Sequence, residues 1–197
     1  MNMNRFFAAS LVALFSLSAA CGGDGESGAT EEVATEEAVV EVEETASLTT
    51  PDWMTIDEAS QTVTLDIVAG KDDSNNRWNF NGYSRGNGAI VVPLGYTVTI
   101  NFRNDDPNIA HSIGVDARTG NFPATFQDSE PVFAGAISAA ATSMQDATQP
   151  GESESFSFTA DGAGEYSLIC YIPAHAATGM WILFTVSSDG EVGFLSY

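Results

Sequence analysis

The chain has 197 residues, 44% of them hydrophobic, enough for one domain with a real core and with tails besides. Asp and Glu number 27 against 6 Lys and Arg, a formal net charge of -21 that excludes a nucleic-acid binder, which needs a basic footprint, and excludes attachment to an anionic membrane by charge. The two cysteines, Cys21 and Cys170, rule out a disulfide-rich scaffold, and there are only two histidines, His111 and His175.

Asn4 and Arg5 precede an apolar run from Phe6 to Leu17 interrupted only by Ser10 and Ser16. The run is too short to span a bilayer as a helix but suits the core of a signal peptide, so residues 1–20 are expected to direct export. Ser18-Ala19-Ala20 then leads to Cys21. A small-residue stretch ending at a cysteine resembles a lipoprotein acylation site, although Ser18 stands three before the cysteine and Leu17 one place early. Acylation of Cys21 would anchor the chain outside the cytoplasmic membrane, in the periplasm or on the extracytoplasmic face. Ordinary cleavage after Ala20 would instead leave a free N-terminal thiol. Between Gly22 and Ser47 lie nine acids, no Lys or Arg and no aromatic residue. Such a segment cannot bury enough surface to offset its ordering entropy, so residues 21–55 are expected to form a disordered acidic tether. As a flexible coil, the acidic stretch of about 26 residues would average about 30 Å end to end.

The remainder, residues 56–197, has the pattern of a sheet protein. Val63, Leu65 and Ile67 alternate with Thr62, Thr64 and Asp66. Trp78 and Phe80 share a face of a short run. Ile90 to Val92 reads as a strand, and the turn Pro93-Leu94-Gly95 is expected to send the chain back as a hairpin. Tyr96, Val98, Ile100 and Phe102 alternate cleanly, as do His111, Ile113 and Val115, then Phe156 and Phe158, then Tyr166, Leu168 and Cys170, and last Ile182, Phe184 and Val186. Seven or eight short strands separated by turns predict an all-β sandwich or barrel. The excursion from Pro131 to Pro150 is the one place where a turn or two of helix is expected, over Ala134 to Met144.

One loop carries the chemistry. From Cys170 to Met180 a thiol, the imidazole of His175 and the Met180 thioether recur at five-residue intervals between two predicted strands. His111, at the start of another predicted strand, can add a second imidazole. Two His, one Cys and a weak axial Met form the type 1 copper arrangement used for electron transfer, in which thiolate and thioether suit Cu(I) and imidazole also suits Cu(II). Structural zinc wants four Cys or His ligands, which this chain lacks once Met is set aside. A catalytic Cys–His pair needs no Met at this spacing and wants an orienting Asn or Asp. Taken singly, Met180 reads as core filling, Cys170 as an inert buried thiol and His111 as a satisfied strand-end histidine. Together they leave neither histidine unused.

The C-x4-H-x4-M loop resembles that of several blue copper proteins, among them the rusticyanin, auracyanin and sulfocyanin groups. The resemblance to the sulfocyanins is fullest. It rests on Trp78-Asn79-Phe80-Asn81-Gly82, on the Val92-Pro93-Leu94-Gly95 turn and on His175-Ala176-Ala177-Thr178-Gly179-Met180-Trp181, and covers roughly Thr62 to Ser187. It implies a Greek-key β-sandwich of cupredoxin type, one type 1 copper held by His111, Cys170, His175 and Met180, and a role in a membrane-associated respiratory chain. Many cupredoxins place Asn directly after the first His, where it braces the cysteine loop; here that position is Ser112, with fewer hydrogen-bonding groups.

The apolar residues around His175, namely Ile172, Pro173, Ala174, Ala176 and Ala177, suggest that its imidazole edge emerges through an uncharged patch at one end of the sandwich. From Gln61 onward 15 acids face 5 bases, a balance of -10 that could steer a basic partner. The expected activity is therefore one-electron transfer by a monomer, without bond-making catalysis, between redox proteins of an electron-transport chain. A copper carrier or storage protein that hands over the ion is the alternative; clustered methionines would favour it, and the five here are scattered. A metal-free interaction module is the remaining reading.

Overall fold

The computed structural model describes residues 47–127 and 129–197. The expected export segment and Cys21 lie outside the described residues. Among the described residues nine strands form two sheets: β1 (Met54–Asp57), β2 (Thr62–Ala69), β3 (Gly88–Pro93), β4 (Thr97–Asn104), β5 (Gly114–Asp116), β6 (Ser153–Thr159), β7 (Gly164–Ile169), β8 (Trp181–Ser187) and β9 (Gly193–Ser196). One sheet has the order β1-β2-β4-β6 and the other β5-β7-β8-β3-β9. The β2–β4 and β3–β8 pairs are parallel and the others antiparallel. Alternation in the sequence sets the inner faces: Val63, Leu65 and Ile67 of β2 and Val98, Ile100 and Phe102 of β4 are buried, while the intervening Thr64, Asp66, Thr99 and Asn101 face outward or lie half-buried. Each fully buried Leu, Ile or Val contributes about 1.5–3 kcal/mol of burial free energy, and Ile90, Leu168, Ile182 and Phe184 answer them from the facing sheet.

The structure departs from the sequence pattern in three places. The Pro93-Leu94-Gly95 turn makes no hairpin. β3 pairs with β8 and β9 and β4 with β2 and β6, so the turn carries the chain from one sheet to the other. The carbonyls of Ser187 and Ala160 accept from the Leu94 and Gly95 amides, which ties the turn to both layers. The excursion from Pro131 to Pro150 contains no helix. Its backbone is instead taken up by bridges, Gly114 to Ile137 and His111 to Thr148, and by turns. The short edge strands β1 and β9 lack a long alternation to announce them. They exist because partners pair them, β1 along β2 and β9 along β3, with Thr49 bridging Phe194.

Register decides where the loops go. Gly114 of β5 and Trp181 of β8 both stand opposite Ile169 of β7. The segments entering β5, leaving β7 and entering β8 therefore emerge from the same end of the sheet. Those segments carry His111, Cys170 and Met180. β3 runs parallel to β8, so the connection from β2 to β3, with Trp78 in it, arrives at that end as well.

Candidate metal centre

The loop from Cys170 to Met180 closes on itself before any ion is considered. The Cys170 amide donates to the Met180 carbonyl at 3.1 Å, and the Met180 amide donates to the His175 carbonyl at 2.9 Å. A short 3-10 turn, Ala176–Thr178, follows His175, and Gly179 ends it with φ of 114°. Ala174 takes φ of 71°, a left-handed conformation that costs a β-carbon-bearing residue energy and sets the direction of His175. The Thr178 amide and hydroxyl both donate to the Ala174 carbonyl, at 3.0 and 2.8 Å.

Three donor atoms converge in the interior. His111 Nδ1 lies 3.2 Å from His175 Nδ1, and Cys170 Sγ lies 3.5 Å from His175 Nδ1 and 4.0 Å from His111 Nδ1. All three residues are buried, and the donor atoms lie within 4.8 Å of one another. Met180 is fully buried in the same core cluster as Cys170. Ser112 sits between the strands. Its amide points at Cys170 Sγ at 3.4 Å, its hydroxyl lies 3.6 Å from that sulfur, and its oxygen accepts from the Tyr171 amide at 2.9 Å. The shorter side chain thus still links the His111 segment to the cysteine loop.

The electrostatics suit a soft cation. Burial, with His111 close by, pulls His175 down to about 3. Burial also lowers His111, against the opposing influence of Asp106. Both shifts favour the neutral ring, which keeps a lone pair free to coordinate. Burial pushes the Cys170 thiol up to about 11, against the hydrogen bonds from Ser112 and Ile172. A thiolate there forms only when a cation takes the proton's place, and metal ligation does this. Two neutral imidazoles, a displaceable thiol proton and a thioether in a dry pocket are a donor set that fits type 1 copper.

Two residues at the site escaped the sequence reading. Asp106, 3% exposed, accepts from His111 Nε2 at 3.0 Å and from the Asn108 amide at 2.9 Å. Because a carboxylate only accepts, Nε2 carries the His111 proton and Nδ1 is left to coordinate. Asn104 holds Asp106 in turn, accepting from its amide at 2.9 Å and donating to the Ile109 and Thr148 carbonyls. The second is Trp78, whose indole stacks on His175 with ring centroids 4.1 Å apart and an interplanar angle of 21°. This corrects the expectation of an emergent imidazole edge: His175 is 2% exposed, Ile172 and Ala176 are buried, and the indole covers the ring. Trp78 shares a strand-like run with Phe80 in the sequence, but the left-handed turn before it leaves it half-buried at the edge of the core, stacked on His175.

The chain is similar to a sulfocyanin of Sulfolobus acidocaldarius, 32% identical over 133 residues that make up 66% of each chain. It is also similar to a rusticyanin of Acidithiobacillus ferrooxidans, 30% identical over 103 residues, 52% of this chain and 62% of that one. The match thus spans just under two thirds of the length of these relatives. Among solved structures, rusticyanin from Thiobacillus ferrooxidans has a TM-score of 0.43 at 22% identity, covering 69% of this chain and 87% of that one. Auracyanin A of Chloroflexus aurantiacus, a blue copper protein, has a TM-score of 0.44 at 21% identity, covering 64% and 99%. Residues 50–195 match the family model of the sulfocyanin (SoxE) domain, and the chain belongs to the sulfocyanin family of cupredoxins.

Proposed function

We propose that the protein is a one-electron carrier whose single type 1 copper is held by His111, Cys170, His175 and Met180. The observation that carries this reading is the convergence of three buried donor atoms, two nitrogens and one sulfur, on one point. Bound there, copper supplies a Cu(II)/Cu(I) couple at which one electron is gained or lost without bond-making. The chain's own residues do the rest. The backbone bonds that close the loop between Cys170 and Met180 hold the donors in place, so little rearrangement accompanies the change of charge. Asp106 fixes the His111 ring, and burial of every donor keeps water away from the centre.

The wider role rests on the sequence. Residues 1–20 direct export, Cys21 is acylated, and the acidic tether expected over residues 21–55 ends earlier than that, because Thr49 bridges Phe194 and β1 begins at Met54; it holds the folded domain outside the cytoplasmic membrane. The domain acts there as a monomer between redox proteins of a respiratory chain, with no nucleic-acid partner and no enzymatic turnover of its own. The test is a visible absorption spectrum of the purified chain titrated with Cu(II). An intense thiolate-to-copper band that saturates at one copper per chain, bleaches with ascorbate and returns with an oxidant is expected, and Cys170→Ser is expected to abolish it. Absence of the band from the folded chain, or its persistence in Cys170→Ser, refutes the assignment. A bound copper that ascorbate and oxidant do not cycle points to ion carriage instead. For the tether, Cys21→Ser is expected to leave the membrane fraction; sedimentation with membranes overturns the anchor.

A further inference from the structure

We propose that the indole of Trp78 is the group through which electrons reach and leave His175, so that a redox partner docks over Trp78 and not over a bare imidazole edge. The proposal rests on the carrier reading above. His175 is 2% exposed, whereas Trp78 is half-buried and in stacked contact with it at 4.1 Å between centroids. Along this direction the outermost group of the site is therefore the indole, and a partner that approaches the ring gains a continuous aromatic contact down to a donor residue.

The loop that presents Trp78 is held there against conformational cost. Asn75, Asn76 and Arg77 adopt φ of 46°, 58° and 67°, three successive non-glycine residues in the left-handed region. Several bonds keep the loop in that form. Asn75 donates to the Trp78 carbonyl at 2.8 Å and the Trp78 amide returns a bond to the Asn75 carbonyl at 3.1 Å. The buried Asn79 donates to the carbonyls of Asp72 and Ser74, and Arg77 pairs with Asp73 at 2.6 Å. Arg85 joins this loop to the metal loop: its guanidinium donates to Asn75 Oδ1 at 2.9 Å and its amide to the Gly179 carbonyl at 2.8 Å. A residue needed only to fill the core would not call for a strained turn clamped to the ligand loop. Beside the indole lies a cleft of about 310 Å³ lined by Asp73, Asn76, Arg77, Asn108 and Ile109 as well as Trp78 and Asp106. It gives a partner's redox group a seat next to the ring.

The step balances simply. A reduced metalloprotein that carries a one-electron centre loses one electron, and this chain's centre gains it. No bond forms or breaks, no proton moves, and the indole begins and ends in its ordinary state. In the reverse direction an oxidised acceptor takes the electron along the same route.

The test uses the full copper-loaded chain with Trp78→Leu and Trp78→Phe. Absorption spectrum, copper stoichiometry and reduction potential are measured beside two rates: reduction by hexaammineruthenium(II) in stopped flow at high salt, and electron self-exchange from NMR line broadening in half-reduced samples. Trp78→Leu is expected to lose rate several-fold after correction for any change in potential, with the spectrum kept, and Trp78→Phe to restore most of it. A wild-type rate in Trp78→Leu, or equal loss in both variants, overturns the proposal, because only the aromatic ring distinguishes them. Should Trp78→Leu fail to fold, the wild-type chain decides. Redox-inert hexaamminechromium(III), at salt high enough to screen the acidic surface, is expected to broaden the Trp78 indole and the Asn76 and Asn108 amides first, and broadening elsewhere first overturns it. Absence of a copper band from the wild-type chain is a separate result that fails the carrier reading itself.

Discussion

Replacing Asp106 by Ala tests how far the protein, apart from the donor atoms themselves, makes the site. The bond from His111 Nε2 to Asp106 is 3.0 Å long, and the two side chains are 0% and 4% exposed, so the bond lies almost wholly out of solvent. Removing a group that orients a metal-binding histidine typically costs about 10–100-fold in metal affinity, equivalent to about 1.4–2.7 kcal/mol. The variant also leaves the buried Nε2–H unpaired, which costs about 1–3 kcal/mol of folding free energy. The two effects are separable. Copper affinity is read by competition with a chelator of known strength, and stability by urea unfolding of the metal-free chain. The ring nitrogens of the metal-free protein, followed by ¹⁵N NMR, report whether His111 keeps its proton on Nε2. Asp106→Asn, which retains an acceptor oxygen but no charge, is expected to lose less affinity and to raise the reduction potential, since the lost negative charge had favoured Cu(II). Unchanged affinity and unchanged tautomer in a folded Asp106→Ala would refute the orienting role.

Two further substitutions probe packing around the centre. Met180→Ala is expected to keep copper while altering the colour and potential of the site, and truncation of this fully buried side chain is expected to cost about 2–5 kcal/mol of stability; an unchanged spectrum removes Met180 from the ligand set. Gly114→Ala would place a Cβ 2.9 Å from both Ile137 Cγ1 and Tyr171 Cε2 and 3.0 Å from the Ala136 carbonyl oxygen. Overpacking of that kind costs about 1–3 kcal/mol, read as a lower unfolding midpoint, and an unmoved midpoint contradicts the close approach.

Residue spacing alone set the inner faces of the long strands and brought forward His111, Cys170 and His175, which the structure gathers within 4.8 Å of one another. A period of two assigns Val63, Leu65 and Ile67 to one face whatever that face packs on, and the intervals from Cys170 to His175 to Met180 are already those of a loop that bends round one point. Which strands pair was decided only in the tertiary structure, because pairing depends on how two sheets share a core. Pro93-Leu94-Gly95 has the composition of a hairpin turn in either case, yet here it crosses between layers. β1 and β9 are too short to carry a periodic signal and take their conformation from their neighbours. The same holds for the groups that contact the two imidazoles. Asp106 stands five residues before His111, beside an equally acidic Asp105, and nothing local tells the two apart. Only the turn fastened by Asn104 aims one of them at the ring while leaving the other near the surface. Trp78 likewise looks like a core aromatic beside Phe80. The left-handed turn before it sends Phe80 into the sandwich and Trp78 onto His175, a distinction made by backbone direction and long-range hydrogen bonds, which residue spacing does not encode.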